Sequence, residues 1–140
     1  MKKTVLLSIT GRQTYADQEP DVIELVTEGT MEQIGENWKL SYDESALTGL
    51  QGVRTEFLIS GKTVTLTRSG KLNSQMVFKE GLSHDSLYQT EFGTLMLTVC
   101  ATRVETDIAD YCGVIDLYYN IEVEQSAAGV ISYHLDIQPK

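Results

Sequence analysis

The sequence predicts an all-β fold, with about ten antiparallel strands following one another in a single up-and-down meander. Two observations predict it. Apolar and polar residues alternate with period two through most of the chain. Glycines 52, 61, 70, 81 and 93 fall 9, 9, 11 and 12 residues apart, the spacing of tight turns between short strands. A third observation is negative: no stretch sustains the apolar stripe of an amphipathic helix.

Taken in order, the first strand reads KTVLLSITGRQ at residues 3–13. Two lysines followed by Val5, Leu6 and Leu7 imitate the start of a secretory leader, but Ser8, Thr10, Gly11 and Arg12 break the apolar run too early, so a strand is expected there. In the second, residues 21–32, Ile23, Leu25 and Met31 share one face and Glu24, Glu28 and Glu32 the other, as when one side packs inward and one meets water. NWKLSYDE (37–44) and VRTEFLI (53–59) come next. In TVTLTR (63–68), Val64 and Leu66 are expected inside and Thr63, Thr65 and Thr67 outside. SQMVFK (74–79), SLYQTEF (86–92), LMLTVCATRVET (95–106), CGVIDLYYNIEVEQ (112–125) and VISYHLDIQ (130–138) complete the set, all rich in β-branched and aromatic residues. The helix candidates are short, DESALTGL at 43–50 and ETDIADY at 105–111, and Pro20 and Pro139 stand at segment ends, where a missing N–H harms no ladder.

Composition narrows the class. At 140 residues, with 41% apolar and 22% charged residues, the chain suits one packed domain over residues 1–140. A formal charge of −9 repels a phosphate backbone, so nucleic acid is not an expected partner. No window approaches the run of apolar residues that a spanning helix needs, and a cytoplasmic protein without a membrane partner is expected. Cys100 and Cys112 are too far apart for a CxxC site and are read as reduced thiols, with a disulfide open only if the two face each other across a hairpin.

Chemistry is sought where polar groups fall on apolar faces, because a buried charge is costly without a partner. The parity of Val64 and Leu66 puts Arg68 inside, and that of Trp38, Leu40 and Tyr42 puts Glu44 inside. Two roles are open for this pair. They form a salt bridge at the barrel rim, or Arg68 holds a ligand carboxylate or phosphate in a bidentate fork. Thr55 shares a face with Phe57, Tyr88 with Thr90, and Tyr119 with Leu117, positions that suit a cavity wall and a sheet core equally. His84 lies in the turn-like GLSHDSL, and His134 alternates with Ser132 and Asp136 on a polar face. Neither has a partner at metal-ligand spacing, no GxSxG elbow occurs, and Asp43 and Glu44, being adjacent, point to opposite faces. No catalytic residue, metal or cofactor is assigned, and Asp43 or Ser45 is expected to cap a short turn.

Several segments together resemble the YwiB-like family of small bacterial proteins, a domain of unknown function: IELVTEGTM at 23–31, YDESALTGLQGVRT at 42–55, LTRSG at 66–70, MVF at 76–78, YQTEFGTL at 88–95 and IDLYYNIEV at 115–123. The most specific part is Tyr42, Glu44 and Ser45 followed by Gly49 and Thr55. The resemblance implies a closed calycin-like (lipocalin-type) β-barrel rather than a sandwich. It marks Tyr42, Glu44, Gly49, Thr55, Arg68, Thr90 and Gly93, and brings no activity.

The leading expectation is a barrel that binds a small amphipathic or anionic molecule inside, with Arg68, Glu44, Tyr42, Thr55, Tyr88, Thr90 and Tyr119 as ligand-binding residues. The alternative is a structural or interaction barrel with a filled interior and an unidentified protein partner. An enzyme would require Glu44, Arg68 and Tyr42 to converge in a cleft with strongly perturbed titration.

Overall fold

A computed structural model of the chain describes residues 2–14, 19–44, 51–124 and 126–140, with backbone alone at 127 and 128. Alternation of apolar and polar residues gives each strand one dry face, and ten such faces turned toward a common axis form the core. The strands are β1 (Lys2–Thr14), β2 (Asp21–Ile34), β3 (Asn37–Asp43), β4 (Val53–Ser60), β5 (Thr63–Gly70), β6 (Leu72–Phe78), β7 (Ser83–Thr90), β8 (Gly93–Ala109), β9 (Cys112–Val123) and β10 (Ser126–Pro139). Each pairs antiparallel with its sequence neighbours, and β1 pairs with β10 from Val5↔Pro139 to Thr14↔Val130, which closes the barrel. The predicted class, an up-and-down, calycin-like barrel of ten strands, is the observed one.

The inward positions follow the parity read from the sequence. Leu7, Met31, Leu40, Phe57, Val64, Phe78 and Val99 are buried, and the Thr63, Thr65 and Thr67 row faces outward. Each large apolar side chain buried in this way contributes about 1.5–3 kcal/mol. Phe78 packs on Tyr119 at 4.7 Å and Phe57 on Tyr133 at 5.8 Å between ring centroids, so the middle of the barrel is filled by its own side chains. One end is closed by Trp38, which meets Tyr111 edge-on at 4.9 Å, with the Lys3 ammonium over the Tyr111 ring.

Two expectations are corrected, and the reading of Cys100 and Cys112 as free thiols agrees with the structure. Residues 105–109, part of the candidate helix at 105–111, continue β8, because Thr106 and Ile108 turn inward while Glu105, Asp107 and Ala109 are exposed. The reversal is made by Asp110 and Tyr111, whose φ angles of 52° and 64° form a tight two-residue hairpin turn. At its far side Gly113 has φ 148°, and a Cβ there would lie 2.0 Å from the Asp107 carbonyl oxygen. Cys100 and Cys112 do not face each other: Cys100 pairs with Asn120, eight residues along β9 from Cys112 or roughly 27 Å at about 3.4 Å per residue, and both thiols are free. His84 is not in a loop but in β7, half-buried and paired with Val99. The other helix candidate, at 43–50, lies mostly outside the described residues, as do Ser45 and Gly49; Asp43 itself ends β3.

Candidate functional site

At the end of the barrel opposite Trp38, the filled core gives way to a pocket of about 220 Å³. Four strands bring a polar row to its edge. Register pairs Tyr42 of β3 with Thr55 of β4, Thr55 with Arg68 of β5, and Arg68 with Ser74 of β6. All four side chains share the inward face, because antiparallel partners point to the same side of a sheet. This row replaces the apolar layer below it, where Leu40, Phe57, Leu66 and Met76 are likewise register partners.

Glu44 stands one turn of the pleat above Tyr42. Its backbone N–H donates to the Val53 carbonyl oxygen at 2.8 Å, extending the β3–β4 ladder past Asp43, and its side chain is buried. Thr55, with 0% exposure, donates its hydroxyl to Glu44 Oε1 at 2.9 Å. Asp43 points the other way, to the outer surface, where Arg54 reaches both its carboxylate at 3.3 Å and Ser41 Oγ at 3.0 Å. The opposite facing of the two adjacent acids is as the sequence implied.

Arg68 is half-buried on the pocket wall, and its Nε is a buried atom without a hydrogen-bond partner. The Tyr42 and Tyr133 hydroxyls are 3.1 Å apart on the facing wall. Ile9, Leu25, Tyr119 and Ile131 provide apolar surface, while Arg12, Asp21 and Ile23 stand at the mouth. Gly70 allows the close approach beside this mouth, with φ 118° and no room for a Cβ, which would lie 2.3 Å from the Gly52 carbonyl oxygen.

The tyrosines hold their protons tightly. Burial pushes Tyr119 up to about 12, opposed by the nearby Arg68 charge. Burial also raises Tyr133, against the lowering effects of its bond to Tyr42 and of Arg68. Tyr42 is raised far above the ordinary tyrosine value by burial first, then by Tyr133 and Glu44. Near neutrality the wall therefore presents phenolic hydroxyls beside the Arg68 and Glu44 side chains. The hydroxyls and the guanidinium can donate hydrogen bonds to a ligand oxyanion and orient it, with the apolar floor receiving its remainder.

Of the residues predicted from sequence, Tyr42, Glu44, Arg68 and Tyr119 line this pocket and Thr55 supports it from behind. Tyr88 and Thr90 are on β7 and do not line it. Thr90 instead organises the following turn, donating to the Gly93 carbonyl oxygen at 3.0 Å and accepting from the Phe92 N–H at 3.1 Å. Tyr133 was missed, although its alternation with Ile131, Leu135 and Ile137 gives it the inward parity. His134, on the outer face as expected, bonds Asp116. Among the described residues no group of three His, Cys, Asp or Glu could hold a metal ion, and no helix is long and apolar enough to cross a membrane.

A family model described as Domain of unknown function (DUF1934) matches residues 7–137. The chain is similar to the ywiB protein from Bacillus subtilis, known from its crystal structure, with TM-score 0.83 and 23% identity over 96% of this chain and 92% of that one. This likeness bears on the fold. No curated protein matches the chain.

Proposed function

The chain belongs to the family Domain of unknown function (DUF1934), a membership that carries no activity, and from the geometry of the site we propose that it is a binding protein for a small amphipathic anion. The observation that carries this reading is the Arg68 guanidinium. It stands on the pocket wall, across from the Tyr42 and Tyr133 hydroxyls, with its Nε buried and lacking a hydrogen-bond partner. Buried donors are normally satisfied, and a ligand oxyanion is what a guanidinium fork accommodates best. The volume of about 220 Å³ suits a small molecule. The proposed setting is the cytoplasm, where the thiols of Cys100 and Cys112 stay reduced.

Glu44, Arg68 and Tyr42 converge as an enzyme would also require. We assign binding rather than catalysis because the raised tyrosines are shifted away from use as bases near neutrality, and no Ser, Cys, Lys or His is among the described residues lining the pocket. Native mass spectrometry of protein purified without denaturation, followed by titration with short-chain alkyl carboxylates and phosphates, tests the assignment. A stoichiometric complex that Arg68→Ala weakens at least ten-fold is expected, since bonds to a charged group are worth about 1.5–3 kcal/mol. A protein that stays empty against this panel and a metabolite extract refutes it.

A second reading, contact with a protein partner, is favoured by the β7–β8 hairpin. Phe92 at its tip is 92% exposed, flanked by exposed Leu87 and Leu95. Under that reading Phe92→Ser abolishes capture of a partner while leaving anion binding intact; an unchanged set of captured proteins removes it.

A further inference from the structure

Formal charge is divided unevenly around the barrel. Residues 80–139, which are β7 to β10 with the turn leading into them, hold ten Asp and Glu and one basic residue, Arg103, and carry −9 with histidine neutral. The rest of the chain holds ten acids and ten bases and is neutral. Arg103 is itself occupied, its Nη2 donating to Glu105 at 2.6 Å, and none of the ten acids is buried. Strand order makes β7, β8, β9 and β10 one continuous side of the wall, so that side holds the whole excess of negative charge.

The same side carries the β7–β8 hairpin with Phe92 at its tip. β8 begins four residues before its first pair with β9, Leu97↔Val123, so the hairpin projects past its neighbour. Leu95 shares the inward parity of buried Leu97 and Val99, yet it is 44% exposed because it lies in this projecting part. Leu87, on the other face, is 56% exposed. Four acids surround these apolar groups. Glu91 precedes Phe92 in the turn, Asp85 and Glu122 both pair with Thr98, and Glu124 accepts from the Met96 N–H at 2.9 Å. All eight residues of β7 pair with β8, whereas among the described residues Gln89 and Thr90 alone pair with β6.

What covers the exposed apolar groups must also suit the charge around them. Nucleic acid and anionic lipid are repelled by it, and a second copy would bring the same acidic side to a two-fold contact. A sparsely paired strand edge takes up an extended chain, and a flexible segment can follow both faces of a projecting turn. We propose that the β7–β8 hairpin docks an extended polypeptide segment rich in lysine and arginine, with Phe92 and Leu87 receiving its apolar anchors and Asp85, Glu91 and Glu122 facing its cations. The inference rests on the partner reading above, to which it adds the partner's chemistry, and is independent of the Arg68 pocket.

Fluorescence anisotropy of a dye-labelled nonapeptide, two central leucines flanked by lysines and glycines, tests this beside two relatives, one with serine for leucine and one with glutamate for lysine. The leucine–lysine peptide is expected to bind at least about ten-fold tighter than either. Leu87→Ser/Phe92→Ser, at two exposed positions, is expected to erase the preference for leucine over serine. Glu91→Gln/Glu122→Gln is expected to weaken binding at least about three-fold, while the same charge change at Glu32→Gln/Glu36→Gln, in the neutral part of the chain, leaves it unchanged. Equal weakening by the two glutamate pairs, or a leucine preference that survives Leu87→Ser/Phe92→Ser, overturns the docking site and leaves a diffuse attraction for polycations. If no peptide binds while Phe92→Ser still abolishes capture of a partner, the basic chemistry is overturned and the partner reading stands; if capture too is unchanged, both fall.

Discussion

Replacing Thr55 with valine removes one hydrogen-bond donor while keeping the shape of a side chain that has no exposure. The lost contact is the 2.9 Å bond to Glu44 Oε1, made where water has little access to replace it. A bond to a carboxylate in such a place contributes about 1.5–3 kcal/mol, and the acceptor left behind adds its own desolvation cost. Thr55→Ser makes the opposite change: the hydroxyl stays and one methyl is lost, at about 1 kcal/mol including the small cavity. The ordering expected is therefore wild type, then serine, then valine. With a urea dependence of about 2 kcal/mol per molar, the valine variant shifts the unfolding midpoint down by about 1 M and the serine variant by about half that. Equilibrium urea denaturation followed by tryptophan fluorescence reads both, Trp38 being the single tryptophan. A valine variant as stable as the serine variant would refute the idea that this bond holds Glu44 at the pocket.

Alkaline pH is expected to destabilise the fold through its buried tyrosines. An unfolded tyrosine ionises near pH 10, but folded Tyr119 is pushed up to about 12, so its contribution is intact below pH 10 and is lost as pH rises through 12, by roughly 3 kcal/mol in all. Tyr42 and Tyr133, also raised by burial, act in the same direction. Tyrosinate absorbance together with denaturation midpoints from pH 9 to 12 checks this, and a midpoint that does not fall above pH 10 contradicts it. Gly113→Ala is expected to cost more than about 1 kcal/mol, because its φ of 148° and the 2.0 Å approach to the Asp107 carbonyl oxygen leave no space for a Cβ. Thermal unfolding of that variant at or above the wild-type temperature would show that the β8–β9 hairpin relaxes freely.

The period-two pattern made the strands legible because each residue's side of the sheet is a local property. Parity placed Arg68 and Glu44 inside, and the structure has both at one pocket. Register is a property of two strands, and that is where the sequence was silent. It did not show that Tyr42, Thr55, Arg68 and Ser74 form one row, nor that Cys100 and Cys112 sit far apart on the β8–β9 ladder. Irregularities at Ala101/Arg103 and Ala127/Gly129 shift registers in ways no propensity encodes. His84 was misplaced because Gly81, Ser83, Asp85 and Ser86 read as turn residues, whereas eight pairs with β8 hold them or their neighbours extended. The sparse β6–β7 pairing had no signature either, since inward parity for Tyr88 does not reveal that its strand meets β6 in two register pairs alone.

The β1–β10 seam has a consequence for how the molecule comes into being. Because the ring is shut by residues 5–14 meeting residues 130–139, a growing polypeptide keeps a bare strand edge at β1 until almost all of the sequence has been synthesised. Bare edges recruit other chains, and joining segments so distant in sequence is slow. A barrel that joins its first strand to its last thus faces its greatest risk of aggregation during birth rather than during its working life, and the excess negative charge of the chain opposes contact between such half-made copies over that interval.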